Sequence, residues 1–176
     1  MKKILVIDDN QYSISLLIDW IELHSAEVVF TDTPSKAKLD DVFRNHVFHG
    51  VIIDLMMAPA LDFNQDNIEI STRAGFETGF FLAKHIRKTY EYSGKIYIYS
   101  ERERNEKADE LINNGIIDGY AQKHEAVSNW WPEFYGEGTG NIIKKKSPNI
   151  LHNLFSKESL YVVAALATIA AFLVAL

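Results

Sequence analysis

The chain has 176 residues, 47% of them apolar and 24% charged, which is enough to bury a core and excludes a disordered or fibrous chain. Cysteine is absent, so disulfides and thiolate metal sites are excluded, and a reducing compartment, by default the cytoplasm, is expected. The net charge of -6 is unevenly spread, with 14 Lys+Arg against 23 Asp+Glu in residues 1–140 and 4 against 1 in residues 141–176. An acidic globular part repels a phosphate backbone, so no nucleic-acid partner is expected.

Met1-Lys2-Lys3 leads into only four apolar residues before Asp8, too short a run for a secretion signal. From there short apolar runs alternate with amphipathic stretches as far as residue 122, the rhythm of βα units around a parallel sheet. Strands are predicted over residues 3–8, 27–31, 50–54, 95–100 and 119–122. Helices are predicted over 11–24, where Ile14, Leu17, Ile18 and Ile21 share a face, and over 34–45, 78–90 and 105–113. Between Asp54 and Gly79 the chain is far longer than a βα loop of roughly 2 to 6 residues, so residues 58–76 read as an insertion. It contains Asp62, Asp66, Glu69 and Arg73 and is expected to serve in partner recognition or as a spacer. A fifth helix after Lys123 is hard to place, because Trp130-Trp131-Pro132 and the glycines from Gly136 to Gly140 break any long period. It is expected to be short, displaced or missing, with domain boundaries at 1–127, an irregular linker at 128–158 and a tail at 159–176.

In an open parallel sheet the binding crevice lies beyond the carboxyl ends of the strands. Here those ends carry Asp8-Asp9, Asp54, Ser100 and, just past the last strand, Lys123. Three carboxylates converging on one edge repel one another and call for a cation, and hard oxygen donors suit Mg²⁺. A carboxylate so placed can attack phosphorus while a lysine and a hydroxyl stabilise the phosphoryl oxygens.

In order, Ile4-Leu5-Val6-Ile7-Asp8-Asp9, Val51-Ile52-Ile53-Asp54, Ile96-Tyr97-Ile98-Tyr99-Ser100 and Gly119-Tyr120-Ala121-Gln122-Lys123 resemble the receiver domain of two-component response regulators. The resemblance implies an α/β fold, a doubly wound five-stranded parallel sheet of flavodoxin-like order 2-1-3-4-5, and phosphoryl transfer to Asp54 from a sensor histidine kinase or a histidine phosphotransfer protein. It further implies that Asp9, Asp54 and the Met56 carbonyl bind Mg²⁺ directly and Asp8 through water. Ser100 would hydrogen-bond the phosphoryl group, Lys123 would pair with it, and Tyr120 would move with Ser100. Met56 and Arg102 match positions that tune phosphoryl lifetime. Such a protein signals by conformational switching and is not an enzyme in the turnover sense.

Three departures bear on this. Ala58 separates Met57 from Pro59, where the family usually has Met-Pro. His124 follows Lys123 where the family favours a cis proline, and a non-proline cis bond costs roughly 2.5 to 4 kcal/mol, so Lys123 is open to a different placement. Glu101 follows Ser100 and is expected to face solvent. Of the rival readings, an aspartate-nucleophile phosphatase would need Asp-x-Asp after the first strand, which Asp8-Asp9-Asn10 lacks. A phosphorylation-independent interaction module with the same fold stays open. The histidines at 24, 46, 49, 85, 124 and 152 show no paired ligand spacing. Trp130, Trp131 and Phe134 are expected in packing.

Residues 160–176 carry no charge and offer every helical face as apolar; at 1.5 Å per residue they span roughly 26 Å. A C-terminal membrane anchor is expected, with Lys144, Lys145, Lys146 and Lys157 on its cytoplasmic side. Packing of this helix in a soluble assembly is the alternative. Ala167, Ala171 and Ala175 recur every four residues, a spacing that suits a homodimer.

Overall fold

Alternation along β1 (Lys2–Ile7) builds both faces of the molecule, because successive side chains leave a strand on opposite sides. Ile4 and Val6 enter one apolar cluster with Ile14, Leu17, Ile21 and Ile52. Leu5 and Ile7 enter the other, with Val51, Ile53, Leu82, Ile86 and Ile98. A strand that is apolar on both sides must lie in the middle of a sheet covered on both faces. In the computed structural model it does: five parallel strands run in the order β2-β1-β3-β4-β5, with β2 at Ala26–Thr31, β3 at Gly50–Ile53, β4 at Lys95–Ser100 and β5 at Gly119–Gln122. The sheet order is the one expected.

The structure describes residues 1–32, 35–58, 63 and 72–136, which form the compact unit Met1–Gly136. The predicted tail 160–176, Lys144, Lys145, Lys146 and Lys157, and the insertion residues Asp62, Asp66 and Glu69 lie outside the described residues. Among the described residues no helix is long and apolar enough to cross a membrane.

Helix α1 (Ser15–Leu23) is preceded by a 3₁₀ turn, Gln11–Ile14, where the sequence suggests one continuous helix. Asn10 caps the turn, its side chain accepting from the amides of Tyr12 and Ser13. Helix α2 (Lys36–Asn45) begins after Ser35, whose hydroxyl accepts from the Lys38 amide, and α4 (Glu106–Asn113) begins after Asn105, which accepts from Ala108. Helix α3 (Thr78–Thr89) turns six buried residues inward.

The fifth helix is present and short. Helix α5 (Val127–Tyr135) occupies residues placed by sequence mainly in an irregular segment, and contains Pro132. Trp130, Trp131 and Phe134 are buried against Tyr97 and Tyr99 of β4 and Ile4 and Val6 of β1. Tyr97 meets Phe134 edge-on at 5.1 Å and stacks on Trp130 at 5.8 Å, so aromatic packing offsets the low helical propensity of a tryptophan pair beside proline. The compact unit therefore runs to Gly136, past the boundary expected at 127.

Candidate phosphoacceptor site

Between β1 and β3 the chain reverses its direction of winding, and such a point opens a crevice at the carboxyl ends of the strands. The Asp54 amide donates to the Ile7 carbonyl at 2.8 Å, and the Asp8 amide to Thr31 at 3.2 Å. These bonds continue the ladder one residue past each strand and bring the two carboxylates to one edge. Oxygens of Asp8, Asp9 and Asp54 all lie within 4.8 Å of one another. Asp8 and Asp54 are buried, whereas Asp9 is exposed at the mouth.

Lys123, the residue after β5, closes the cluster. Its ammonium is 2.8 Å from Asp8 Oδ2 and 3.1 Å from Asp54 Oδ1, and it donates to Ser13 Oγ at 3.1 Å. Its amide is tied to the Ser100 carbonyl at 2.9 Å, and its carbonyl accepts from the Tyr99 hydroxyl at 3.2 Å. The peptide bonds here are trans, so Lys123 reaches the acidic cluster without a cis bond to residue 124. Burial works against its charge, but the hydrogen bond to Asp8 and the charges of Asp54 and Asp8 together hold its pKa above the ordinary lysine value.

Burial pushes Asp54 up to about 6, the Asp8 charge adding to the effect and Lys123 opposing it. One ammonium among three carboxylates leaves the cluster short of positive charge. The remaining donors are hard oxygens, partly open at Asp9, and this set fits a divalent cation that keeps some of its waters, as Mg²⁺ does.

The loop after β3 is pinned to α3. Met56 donates its amide to Asp54 Oδ2 at 2.9 Å, and Ala58 donates to Asp9 Oδ2 at 3.3 Å. Thr78 donates its hydroxyl to the Met57 carbonyl at 2.8 Å, and the Gly79 amide to Leu55 at 3.0 Å. Only glycine fits position 79, because a Cβ there would come within 2.3 Å of the Asp54 carbonyl oxygen. Met56, Met57, Ala58, Ala74, Gly75, Phe76 and Asp9 line an open depression of about 230 Å³ beside the cluster.

Ser100 is buried, and its hydroxyl accepts from the Arg102 amide at 3.2 Å. Tyr120 is half-buried and donates to the Arg102 carbonyl at 2.7 Å. Arg102 thus joins the serine and the tyrosine that the sequence pairs. Its guanidinium stands 5.6 Å from the centre of the Phe76 ring. Glu101 is exposed, as expected.

Three participants are not evident in the sequence. Asn10 donates its backbone N–H to Asp8 Oδ1 at 2.8 Å, and Ser13 connects Lys123 to Asp8. An Asn directly before a helical stretch is an N-cap signal, so Asn10 could have been found; Ser13 carries no local signal. The third, Glu77, is buried and salt-bridged to Arg73 at 2.9 Å and to Lys107 of α4. Burial raises its pKa, but those two cations outweigh it and hold the carboxyl below the usual range.

No known family profile matches the sequence, and no curated protein does. Solved structures do. The chain is similar to the response regulator TrrA of Thermotoga maritima in complex with Mg²⁺-BeF, at 19% identity over 76% of this chain and 96% of that one, with a TM-score of 0.54. It is similar to the BeF₃-activated N-terminal receiver domain of Klebsiella pneumoniae RstA, at 16% identity over 75% and 94%, TM-score 0.56. A CheY-like receiver domain from Methylobacillus flagellatus matches at 16% identity over 76% and 95%, TM-score 0.53. The chain has the fold of a response regulator receiver domain.

Proposed function

We propose that this chain is a Mg²⁺-dependent phosphoacceptor, in which Asp54 takes a phosphoryl group from a phosphohistidine of a sensor kinase or phosphotransfer protein. The observation that supports this most is the meeting of Asp8, Asp9 and Asp54 with the single ammonium of Lys123 at the switch point of the sheet. A divalent cation on the three carboxylates and the Met56 carbonyl would neutralise the phosphoryl oxygens and orient the group. A carboxylate oxygen of Asp54 attacks phosphorus, the donor's N–P bond breaks, and the electron pair stays on the histidine nitrogen. Lys123 leaves Asp54 for a phosphoryl oxygen. Ser100 donates its hydroxyl proton to another phosphoryl oxygen, and its shift toward the group carries the Arg102 amide bonded to it and the Tyr120 bonded to the Arg102 carbonyl, coupling phosphorylation to the face formed by β5 and α4.

The neighbours supply independent support, since TrrA and RstA were solved with Mg²⁺-BeF or BeF₃. The role is that of a signalling protein. Residues 160–176 are proposed to anchor it in a membrane with Met1–Gly136 on the cytoplasmic side. The insertion 58–76 is proposed to contact the partner, and its Phe63 packs edge-on against Phe81 and His85 of α3.

The test is incubation with a small-molecule phosphodonor. Labelling is expected with Mg²⁺, and none with a chelator or in Asp54→Asn. An unlabelled wild type that still binds a partner would favour the phosphorylation-independent module instead.

A further inference from the structure

We infer that the pole of the unit opposite the Asp54 crevice faces anionic lipid; this rests on the reading of residues 160–176 as a membrane anchor. In a parallel sheet with antiparallel helices, one pole gathers the strand starts and helix ends. Here it comprises residues 1–3, 22–27, 44–50, 87–95, 112–119 and 133–136. This pole carries six lysines and arginines, Lys2, Lys3, Arg44, Lys88 and Lys95 among them, against five carboxylates. Two ion pairs lie within this pole, Glu27 with Lys3 at 2.9 Å and Asp118 with Arg87 at 2.5 Å, and outside them stand Lys2, Arg44, Lys88 and Lys95 against Glu22, Glu91 and Glu133. The rest of the described unit carries eight lysines and arginines against fourteen carboxylates. The unit is thus polarised, with its acid excess toward the crevice.

The apolar and covalent features of this pole agree with its charge. Val47 and Met1 are 91% and 85% exposed, small apolar projections among cations of the kind that enter a headgroup layer. The chain leaves the unit here, because the Tyr135 carbonyl accepts from Lys2 Nζ and from His49 Nε2, both at 3.3 Å, with Lys2 4.5 Å above the Tyr135 ring. From Gly136 the sequence continues through Lys144-Lys145-Lys146 to the uncharged stretch. Attraction to anionic headgroups acts within a Debye length of about 8 Å. The same field repels the crevice pole whenever it approaches the surface, so the orientation with Asp54 toward soluble partners is favoured.

The absence of cysteine allows single labels. The full chain carrying Val47→Cys, or Tyr12→Cys near the crevice, is labelled with a fluorophore and added to vesicles that contain a headgroup quencher. The vesicles are phosphatidylcholine alone or mixed with phosphatidylglycerol. Both proteins should float with both vesicles. Quenching is expected at position 47 and not at position 12 in the anionic vesicles, and it should be lost in neutral vesicles and in an Arg44→Glu, Lys88→Glu variant. Failure to float overturns the anchor and this inference with it. Flotation with equal quenching at the two positions overturns the inference alone and leaves these cations serving only the helix ends.

Discussion

Lys123 stands 3.1 Å from Asp54 and 2.8 Å from Asp8, its side chain only 8% exposed, so one ammonium compensates two buried carboxylates contributed by different strands. Lys123→Met leaves both without a cation, and breaking a buried pair by removing one partner costs about 3 to 5 kcal/mol. Urea denaturation at neutral pH with a chelator should show a loss of that order. Saturating Mg²⁺ should restore much of it, because the cation takes over the neutralisation. Equal losses with and without Mg²⁺ would mean that the cation does not take over the neutralisation.

The pH dependence follows from Asp54. Its pKa is raised from 3.8 to about 6 in the folded protein without metal, so the folded state binds the proton more tightly than the unfolded chain. Stability from this group is therefore present at low pH and is lost as pH rises from about 4 through 6, by about 3 kcal/mol at most. In chelator, Asp54→Asn should lack this decline and be more stable than wild type at pH 7. Mg²⁺ must displace the proton, so its affinity should fall as pH is lowered through about 6. Parallel stability curves for wild type and Asp54→Asn would contradict the placement of Asp54.

Gly79→Ala tests the seating of the phosphoacceptor. The added Cβ meets backbone 2.3 Å away, which cannot yield like a side chain, and forced overpacking typically costs about 1 to 3 kcal/mol. Phosphodonor labelling should slow more than stability alone explains, because the shift falls on the Asp54 carbonyl. Unchanged labelling would show that the loop has slack.

Phe134→Ala tests whether α5 belongs to the unit. Phe134 is fully buried, and such truncations cost about 3 to 5 kcal/mol; a residue in a linker would cost almost nothing. Thermal unfolding followed by tryptophan fluorescence decides between the two.

The sheet was legible because β1, β3 and β4 are uninterrupted apolar runs that each meet a polar side chain where the strand stops, at Asp8, Asp54 and Ser100. The 3₁₀ turn was hidden by the apolar spacing of Ile14, Leu17 and Ile21, which fits either helix type over so short a stretch. Helix α5 was obscured because its packing is nonlocal: Trp130 and Phe134 are held by Tyr97, more than thirty residues earlier. Ser13 is not legible for the same reason, its partner Lys123 lying 110 positions away. The placement of Lys123 is not legible from His124, since the Ser100 carbonyl and the Tyr99 hydroxyl that hold its backbone belong to β4.

The most direct measurement is peptide mapping by tandem mass spectrometry of the full chain after treatment with a small-molecule phosphodonor and Mg²⁺, handled in acid to preserve an acyl phosphate. One base-labile phosphoryl group on Asp54 is expected, absent with chelator and in Asp54→Asn. A folded, Mg²⁺-binding wild type with no adduct on Asp54, or with the adduct elsewhere, would contradict it.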